Sequence, residues 1–230
     1  MLEVASLNQF YGESHTLWDV ALEVPEGQCV CVMGRNGVGK TTLLKSIMGL
    51  LPTRSASIRL GKTQLEGMRA EDRVRAGIGY VPQGREIFGQ LTVEENLRVG
   101  LAARGGDQSI PEKIFTWFPV LKTMLGRRGG DLSGGQQQQL AFGRALATGP
   151  KVILLDEPTE GIQPNIVQLI GDIVETLRKE EGMTVLLVEQ KLPFARRMAQ
   201  RFCIMDKGRT VAQGPMTDLG ADLVSEYLTV

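Results

Sequence analysis

The sequence predicts an α/β fold with a mainly parallel sheet and flanking helices, an N-terminal antiparallel β subdomain and a helical insertion. Two patterns support this prediction. Near residue 30, a strand-length apolar run, a glycine-rich stretch and a helix-like segment follow one another and form a βα unit. After residue 150, short apolar runs alternate with helix-length segments, which is typical of parallel strands joined by crossover helices.

The first part of the chain is predicted to form short strands. A Pro-Glu-Gly turn precedes a wholly apolar run at residues 29–33, as expected for a central strand, and a helix over residues 42–50 stops before Pro52. The strands lie at residues 2–10, 16–24, 29–33, 58–65 (a strand pair) and 78–81.

Residues 84 to about 150 have helical patterns and no strong strand, so we interpret them as an insertion into the α/β body. Its helices are predicted at residues 92–101, 111–125 and 135–147, with a break at Gly129-Gly130. The chain then alternates between strands at 152–155, 184–188, 202–205 and 210–213 and helices at 164–180 and 192–201. We expect a single domain over residues 1–230, with a core at 1–83 and 151–230 and a helical subdomain at about 84–150.

The composition limits what the chain can bind. It has 230 residues, of which 42% are hydrophobic, enough for a sizeable buried core. Lys and Arg total 26, as do Asp and Glu, so the formal net charge is zero. A neutral chain lacks the positive field that gathers nucleic acid, so we expect no nucleic-acid partner and only locally held anions.

Membrane spans, disulfides and histidine chemistry are not expected. Uncharged apolar runs are far shorter than the roughly 20 residues of a bilayer span, and no secretory signal is readable, so we expect a cytosolic chain. Cys29 and Cys31 would share one face of a strand rather than form a bridge. His15 is the only histidine, which leaves almost nothing for a zinc site or a Ser/His nucleophile.

The most specific motif is G-x-x-x-x-G-K-[ST] between the predicted strand and helix. Glycines permit the positive-φ backbone that turns N–H groups toward an anion, and the helix N-terminus adds its dipole. We expect Lys40 to reach the β- and γ-phosphates of a nucleotide and the Thr41 hydroxyl to ligate Mg²⁺. An ordinary glycine-rich turn is the alternative. This motif, the phosphate loop, comprises Gly34, Arg35, Asn36, Gly37, Val38, Gly39, Lys40 and Thr41, and Thr42 follows it.

Two adjacent carboxylates, Asp156 and Glu157, end a predicted buried strand. Neighbouring side chains of a strand point in different directions, so Asp156 can face a metal while Glu157 faces a water beside the γ-phosphate. Two acids at a strand end are often only a solvated loop start, and the upstream phosphate loop is what favours the catalytic interpretation.

A second candidate anion site lies at the helix start formed by Ser133, Gly134, Gly135 and Gln136. Ser133 and Gln136 can form a capping box without any ligand. Two glycines in a first helical turn, however, cost about 1 kcal/mol each relative to alanine. Bare backbone there suits a phosphate, and since the phosphate loop already serves one nucleotide, this site is expected to face the nucleotide of another chain.

The phosphate loop, the helix start and the acidic pair, in this order and spacing, resemble the ATP-binding subunit of an ABC transporter over the whole chain. The resemblance implies a P-loop NTPase core that binds ATP and Mg²⁺. It implies that Tyr11 stacks on adenine and that Gln83 contacts Mg²⁺ and the attacking water. It also implies that the helical insertion docks on a membrane permease, at the cytoplasmic face of the inner membrane.

Two positions depart from the pattern of that family. Gln190 stands where most members have a switch histidine, and it can donate a hydrogen bond to a γ-phosphate but cannot become cationic. Glu157 is therefore expected to carry more of the general-base role. Gln163 stands where an Asp is usual, which affects a contact across the dimer.

With these departures, the sequence resembles the branch of importers for branched-chain amino acids and urea. Three stretches are most similar to its urea-transport ATPase, at residues 129–139, 159–164 and 190–196. The permease and a periplasmic substrate-binding protein would select the cargo. Two ATPase subunits, identical or related, would enclose two ATP molecules between the phosphate loop of one and the helix start of the other.

Other nucleotide-dependent functions are weighed against transport. A GTPase should carry an Asn-Lys-x-Asp motif, and no Asn here precedes a Lys. A small-molecule kinase would leave the two helix-start glycines unexplained. ABC-type ATPases that act on DNA or ribosomes usually need a coiled coil or a second ATPase domain, which 230 residues do not accommodate. A nucleotide-sensing module without turnover is the remaining alternative.

Overall fold

Strands and helices follow one another largely as the sequence predicts. The computed structural model describes residues 1–54, 57–104 and 109–229. Its strands are β1 (Leu2–Tyr11), β2 (Ser14–Val24), β3 (Cys29–Met33), β4 (Thr53–Arg54), β5 (Ser57–Leu60), β6 (Thr63–Gln64), β7 (Ile78–Val81), β8 (Val152–Asp156), β9 (Thr184–Val188), β10 (Arg201–Asp206) and β11 (Arg209–Pro215). Its α-helices are α1 (Lys40–Ile47), α2 (Ala70–Ala76), α3 (Val93–Arg104), α4 (Glu112–Trp117), α5 (Pro119–Thr123), α6 (Gly134–Ala147), α7 (Pro164–Glu180), α8 (Leu192–Met198) and α9 (Ala221–Tyr227).

The N-terminal strands form an antiparallel sheet, as predicted. Its order is β2-β1-β5-β6, and β4 pairs separately with β1. The inward side chains of the long β1–β2 pair, among them Leu2, Leu7 and Val20, are fully buried. This sheet covers one side of the parallel core.

The core sheet has the order β11-β10-β3-β9-β8-β7. Its neighbouring strands are parallel except for β11, which pairs antiparallel with β10. All residues of β3, β8 and β9 are buried, since both faces of the sheet are covered. The carboxyl ends of β3, β7, β8 and β9 share one edge, where ligands bind in sheets of this kind.

The two faces of β3 belong to different hydrophobic clusters. Cys29, Cys31 and Met33 pack in the cluster that contains most of the buried apolar side chains of α3 to α6. Val30 and Val32 pack in the cluster that contains the antiparallel sheet and α1. Because side chains alternate along β3, one face of this strand packs against the helical region and the other against the antiparallel sheet.

The three cysteines are buried free thiols. Burial raises the pKa of Cys29 to about 12 and that of Cys203 to about 11, and it raises the pKa of Cys31 well above its usual value. Thiols in this state are unreactive, because the thiolate is the nucleophilic form. The expected absence of a bridge between Cys29 and Cys31 agrees with these free thiols.

Several predicted boundaries are wrong. The helix predicted over residues 111–125 is divided into α4 and α5 at Phe118, because Pro119 disfavours helical geometry in the residue before it. The helix predicted over 192–201 ends at Met198, since β10 begins at Arg201. Helices α2 and α9 are not predicted at all.

Within the described residues, none of the helices combines the length and the apolar character that crossing a bilayer requires.

Candidate active site

The phosphate loop connects β3 to α1 at the carboxyl edge of the core sheet. Gly34 has φ 147°, and a Cβ there would lie 2.3 Å from the Met205 carbonyl oxygen. Only glycine fits this position. Gly39, at φ 103°, is the N-cap residue of α1, so the loop delivers the chain directly into the helix N-terminus.

Lys40 is folded over the loop that precedes it. Its Nζ donates to the carbonyl oxygens of Gly34 (2.8 Å) and Arg35 (2.9 Å) and lies 3.9 Å from Glu157 Oε1. Burial lowers the pKa of Lys40, and the carboxylates of Glu157 and Asp156 oppose that shift. The ammonium thus lies between the loop backbone and the acidic pair.

A cavity of about 260 Å³ adjoins Lys40. The phosphate loop lines it together with Thr16, Thr42, Gln83 and Glu157. This concave, polar space lies at the N-terminus of α1, where backbone N–H groups and the helix dipole favour an anion.

Asp156 lies at the buried end of β8 and has no exposed surface. Thr41 Oγ1 donates to Asp156 Oδ1 (3.1 Å), and the Tyr80 hydroxyl donates to Oδ2 (3.3 Å). Burial raises the pKa of Asp156 to about 6, and the hydrogen bond from Thr41 opposes this shift. The loss of hydration therefore raises the pKa of Asp156 more than the two hydroxyl hydrogen bonds lower it.

The oxygens of Thr41 and Asp156 fit Mg²⁺. A hydroxyl and a carboxylate are hard oxygen donors, and Mg²⁺ commonly takes one or two protein oxygens and completes its shell with phosphate and water. Among the described residues there is no group of three His, Cys, Asp or Glu side chains arranged around a metal position. A hydroxyl and one carboxylate would leave most of a Mg²⁺ shell to phosphate and water oxygens.

Glu157 follows the last residue of β8 and has partners different from those of Asp156. Its backbone is left-handed, at φ 47°, and its N–H donates to the Val188 carbonyl oxygen (2.9 Å). Its carboxylate accepts hydrogen bonds from the side-chain amides of Gln190 and Gln83, the latter at 3.4 Å. The two neighbouring acids therefore have separate sets of partners.

Gln190 joins the acidic pair to the phosphate loop. The same Nε2 that contacts Glu157 lies 2.7 Å from Asn36 Oδ1. Gln83 Nε2 also donates to Glu160 Oε2 (2.9 Å). Side chains that follow β7 and β9 thus meet at the Glu157 carboxylate after β8, and Asn36 after β3 is joined to it through Gln190.

The helix start at α6 forms a complete capping box. The Gln136 N–H donates to Ser133 Oγ (3.4 Å), and the Ser133 N–H donates to Gln136 Oε1 (2.9 Å). Ser133, Gly134, Gly135 and Gln136 border a cavity of about 400 Å³ that shares no lining residue with the cavity at Lys40. Within one chain, the two candidate anion sites therefore lie in separate cavities.

The two helix-start glycines have packing reasons that the sequence did not reveal. A Cβ on Gly134 would lie 3.1 Å from the Arg85 guanidinium nitrogens, and a Cβ on Gly135 would lie 2.9 Å from Ile166 Cγ1. Arg85 itself donates to the Gly161 carbonyl oxygen (3.2 Å). The space beside these glycines is occupied by side chains of the same chain.

The structure brings most of the sequence-predicted residues together, with two exceptions. The helix start lies apart, and Tyr11, half exposed at the end of β1, does not line the cavity at Lys40. Thr16 and Tyr80 were missed. Tyr80 reaches Asp156 because β7 pairs with β8, and no sequence motif reports that pairing.

Comparison with known proteins identifies the family. Residues 17–160 match the family model described as ABC transporter. The chain belongs to the ABC transporter family. It is an enzyme that hydrolyses ATP, and its P-loop α/β fold is that of solved ATP-binding cassettes.

Relatives of this ABC ATPase span nearly its whole length. The high-affinity branched-chain amino acid transport ATP-binding protein BraG of Pseudomonas aeruginosa is 42% identical over 227 residues, which are 98% of this chain and 95% of BraG. The probable branched-chain amino acid transport ATP-binding protein LivF of Archaeoglobus fulgidus is 35% identical over 222 residues, 95% of this chain and 94% of LivF.

Solved cassettes have the same fold. The dimeric structure of the ATP-binding cassette MJ0796, in a post-hydrolysis state bound to ADP and Pi, superimposes with a TM-score of 0.84 at 26% identity. The match covers 94% of this chain and 99% of that one.

Proposed function

We propose that this ATPase energises an importer of the branch that takes up branched-chain amino acids and urea. The similarity to BraG over 98% of the chain is the observation that carries the proposal. The protein would act at the cytoplasmic face of the inner membrane, bound to permease subunits that receive cargo from a periplasmic substrate-binding protein.

The proposed nucleotide site is the cavity at Lys40. The phosphate loop and Thr42 would hold the phosphates of ATP, and Lys40 would exchange its bonds to the loop carbonyls for bonds to phosphate oxygens. Tyr11, exposed at the end of β1, would stack on the adenine. Thr41, Asp156 and Gln83 would hold Mg²⁺, which neutralises phosphate charge in reactions of this class.

Hydrolysis needs a base beside the γ-phosphate, and we assign this role to Glu157. Its carboxylate accepts hydrogen bonds from two side-chain amides, those of Gln83 and Gln190. These N–H groups can donate a hydrogen bond but cannot take a proton from the carboxylate. Such contacts orient the carboxylate without removing its charge. Both N–H bonds of the Gln190 amide are engaged, with Glu157 and with Asn36, so Gln190 would stabilise the transferred phosphate by exchanging its bond to Asn36 for one to a phosphate oxygen.

The helix start would bind the ATP of a second subunit, identical or a paralogue. The separation of the two anion sites within one chain supports this assignment. A head-to-tail pair would place the phosphate loop of one subunit opposite the helix start of the other. Each active site would then require two chains.

The cargo has two candidates. The names of BraG and LivF support branched-chain amino acids. Urea, or a short amide, is supported by the resemblance of residues 129–139, 159–164 and 190–196 to a urea-transport ATPase. The cargo does not contact this chain in the proposed assembly, so the permease decides between them.

An uptake assay tests the proposal. A strain that lacks this gene should lose uptake of radiolabelled leucine or urea, and the wild-type gene should restore it. Lys40→Ala, expressed at the same level, should not restore it, because the phosphate contact is lost. Co-purification from membranes should recover a permease. Unchanged uptake of both compounds in the deletion strain would reject this cargo assignment.

A further inference from the structure

Glu189 is a buried carboxylate that no motif includes. It is 2% exposed, and none of the ion pairs among the described residues involves it. Its Oε1 accepts the backbone N–H groups of Gln190 (2.8 Å) and Lys191 (2.9 Å). Its Oε2 accepts the Thr159 hydroxyl (2.7 Å). Three hydrogen bonds to a charged acceptor are strong enough to compensate burial and to fix its position.

Thr159 is bound to the opposite loop twice. Its side chain, which has no exposed surface, donates to Glu189, and its carbonyl oxygen accepts a hydrogen bond from Lys191 Nζ (2.9 Å). Thr159 belongs to the loop after β8, and Glu189 and Lys191 belong to the loop after β9. These bonds join two loops that are 30 residues apart in sequence.

The two joined loops carry the pair that the proposed chemistry depends on. Glu157 lies two residues before Thr159, and Gln190 follows Glu189 directly. Glu189 holds the backbone N–H of Gln190, and Thr159 anchors the loop that begins at Glu157. The link therefore sets the approach of the Gln190 amide to the Glu157 carboxylate.

We propose that Glu189 and Thr159 are positioning residues that hold the base and the switch amide in register. This inference rests on the proposed role of Glu157 as the base. A carboxylate suits residue 189, because it accepts three bonds from two directions and has no donor of its own to satisfy. Neither residue lines the cavity at Lys40, whereas both border the adjoining cavity that contains Glu157 and Gln190. The link should therefore affect turnover and leave ATP affinity almost unchanged.

Kinetics on a matched pair of variants tests the link. Thr159→Val keeps the shape and removes the hydroxyl, while Thr159→Ser keeps the hydroxyl. We expect Thr159→Val to lower kcat about tenfold with KM for ATP within about twofold, since small misplacements of catalytic groups are costly. Thr159→Ser should recover most of the rate. Equal kcat in the valine and serine variants, or a change confined to KM, would overturn the proposal.

A double-mutant cycle adds the partner. Glu189→Ala should lower kcat at least as much as Thr159→Val. The double variant should be no slower than Glu189→Ala alone, because both changes break one link. Rate losses that multiply in the double variant would mean two independent effects and would contradict the proposal.

Hydrogen exchange tests the link without relying on activity. The amides of Gln190 and Lys191 are bonded to Glu189, so a peptide containing them should exchange faster in Thr159→Val than in Thr159→Ser. A peptide from β8 serves as the control for general loosening. Identical exchange at residues 190–191 in both variants would refute the link. Wild-type turnover in Glu157→Gln, by contrast, would refute the role of the base.

Discussion

Gln190 donates its side-chain amide to the carboxylate of Glu157, and the same nitrogen lies 2.7 Å from Asn36 Oδ1. The amide thus connects Glu157 to the phosphate loop. A histidine at this position could change charge during turnover, whereas this amide can only orient its neighbours.

Removing that amide should slow hydrolysis. We expect Gln190→Ala to lower kcat about tenfold, because Glu157 loses one of its two orienting amides. Gln190→Glu should be slower still, since a second carboxylate beside Glu157 repels its charge. Steady-state ATPase assays measure both. A glutamate variant faster than the alanine variant would argue against an orienting role.

Glu157→Gln should separate binding from chemistry. The variant keeps the shape of the side chain and loses the base, so we expect ATP affinity to remain and hydrolysis to slow by about 10²–10⁴-fold. Equilibrium binding and single-turnover assays check the two parts. Near-wild-type turnover would remove Glu157 from the role of the base.

Two inactive variants should complement each other if the active site is shared. Lys40→Ala destroys the phosphate loop of one chain, and Ser133→Arg blocks the helix start of the other. A mixed dimer of the two keeps one intact composite site, so mixing them should restore part of the ATPase activity. Activity that equals the sum of the separate variants would contradict trans pairing.

Gly134→Ala can distinguish the two reasons for its glycine. The new Cβ would lie 3.1 Å from the guanidinium of Arg85, which must shift to make room, so the substitution should lower the free energy of unfolding more in the wild type than in an Arg85→Ala background. ATP hydrolysis should remain impaired in both backgrounds if phosphate approaches this backbone. Urea denaturation and ATPase assays measure the two effects. Full hydrolysis by the double variant would leave packing as the only reason.

Asp156 should make the nucleotide-free protein less stable as the pH rises. The native carboxyl keeps its proton up to about pH 6, while the unfolded one releases it near 3.8, so the free energy of unfolding falls between these values. At about 1.4 kcal/mol per pKa unit, the free energy of unfolding of Asp156→Asn should exceed that of the wild type by up to about 3 kcal/mol at pH 7.5. The gain should shrink by about half at pH 5, as measured by chemical denaturation. A gain independent of pH would exclude this cause.

The parts of the site that could be predicted are those formed by residues close together in the sequence. Gly34, Lys40 and Thr41 stand in one motif, and a glycine-rich loop between a strand and a helix has few other uses. Asp156 and Glu157 stand at the end of a strand whose apolar pattern predicts that it is buried. Strand alternation predicts that the two side chains differ in direction, whereas the left-handed backbone of Glu157 could not be predicted from it.

The contacts that could not be predicted depend on which strands are neighbours. Tyr80 meets Asp156 only because β7 lies beside β8, and Glu189 meets Thr159 only because β8 lies beside β9. Arg85 fills the space beside Gly134. It lies in a loop, where no periodic sequence pattern predicts which residues are in contact. Short helices such as α2 and α9 bury few side chains, so their sequence carries little amphipathic pattern.

The buried thiols make this chain a convenient host for spectroscopic labels. All three native cysteines are inaccessible, and the thiolate form is suppressed in each, so maleimide reagents should leave them unmodified. A single cysteine introduced on an exposed helix would therefore be labelled selectively without first replacing Cys29, Cys31 or Cys203. Fluorescence or spin labels on two such chains would then test whether two copies approach and separate during ATP hydrolysis.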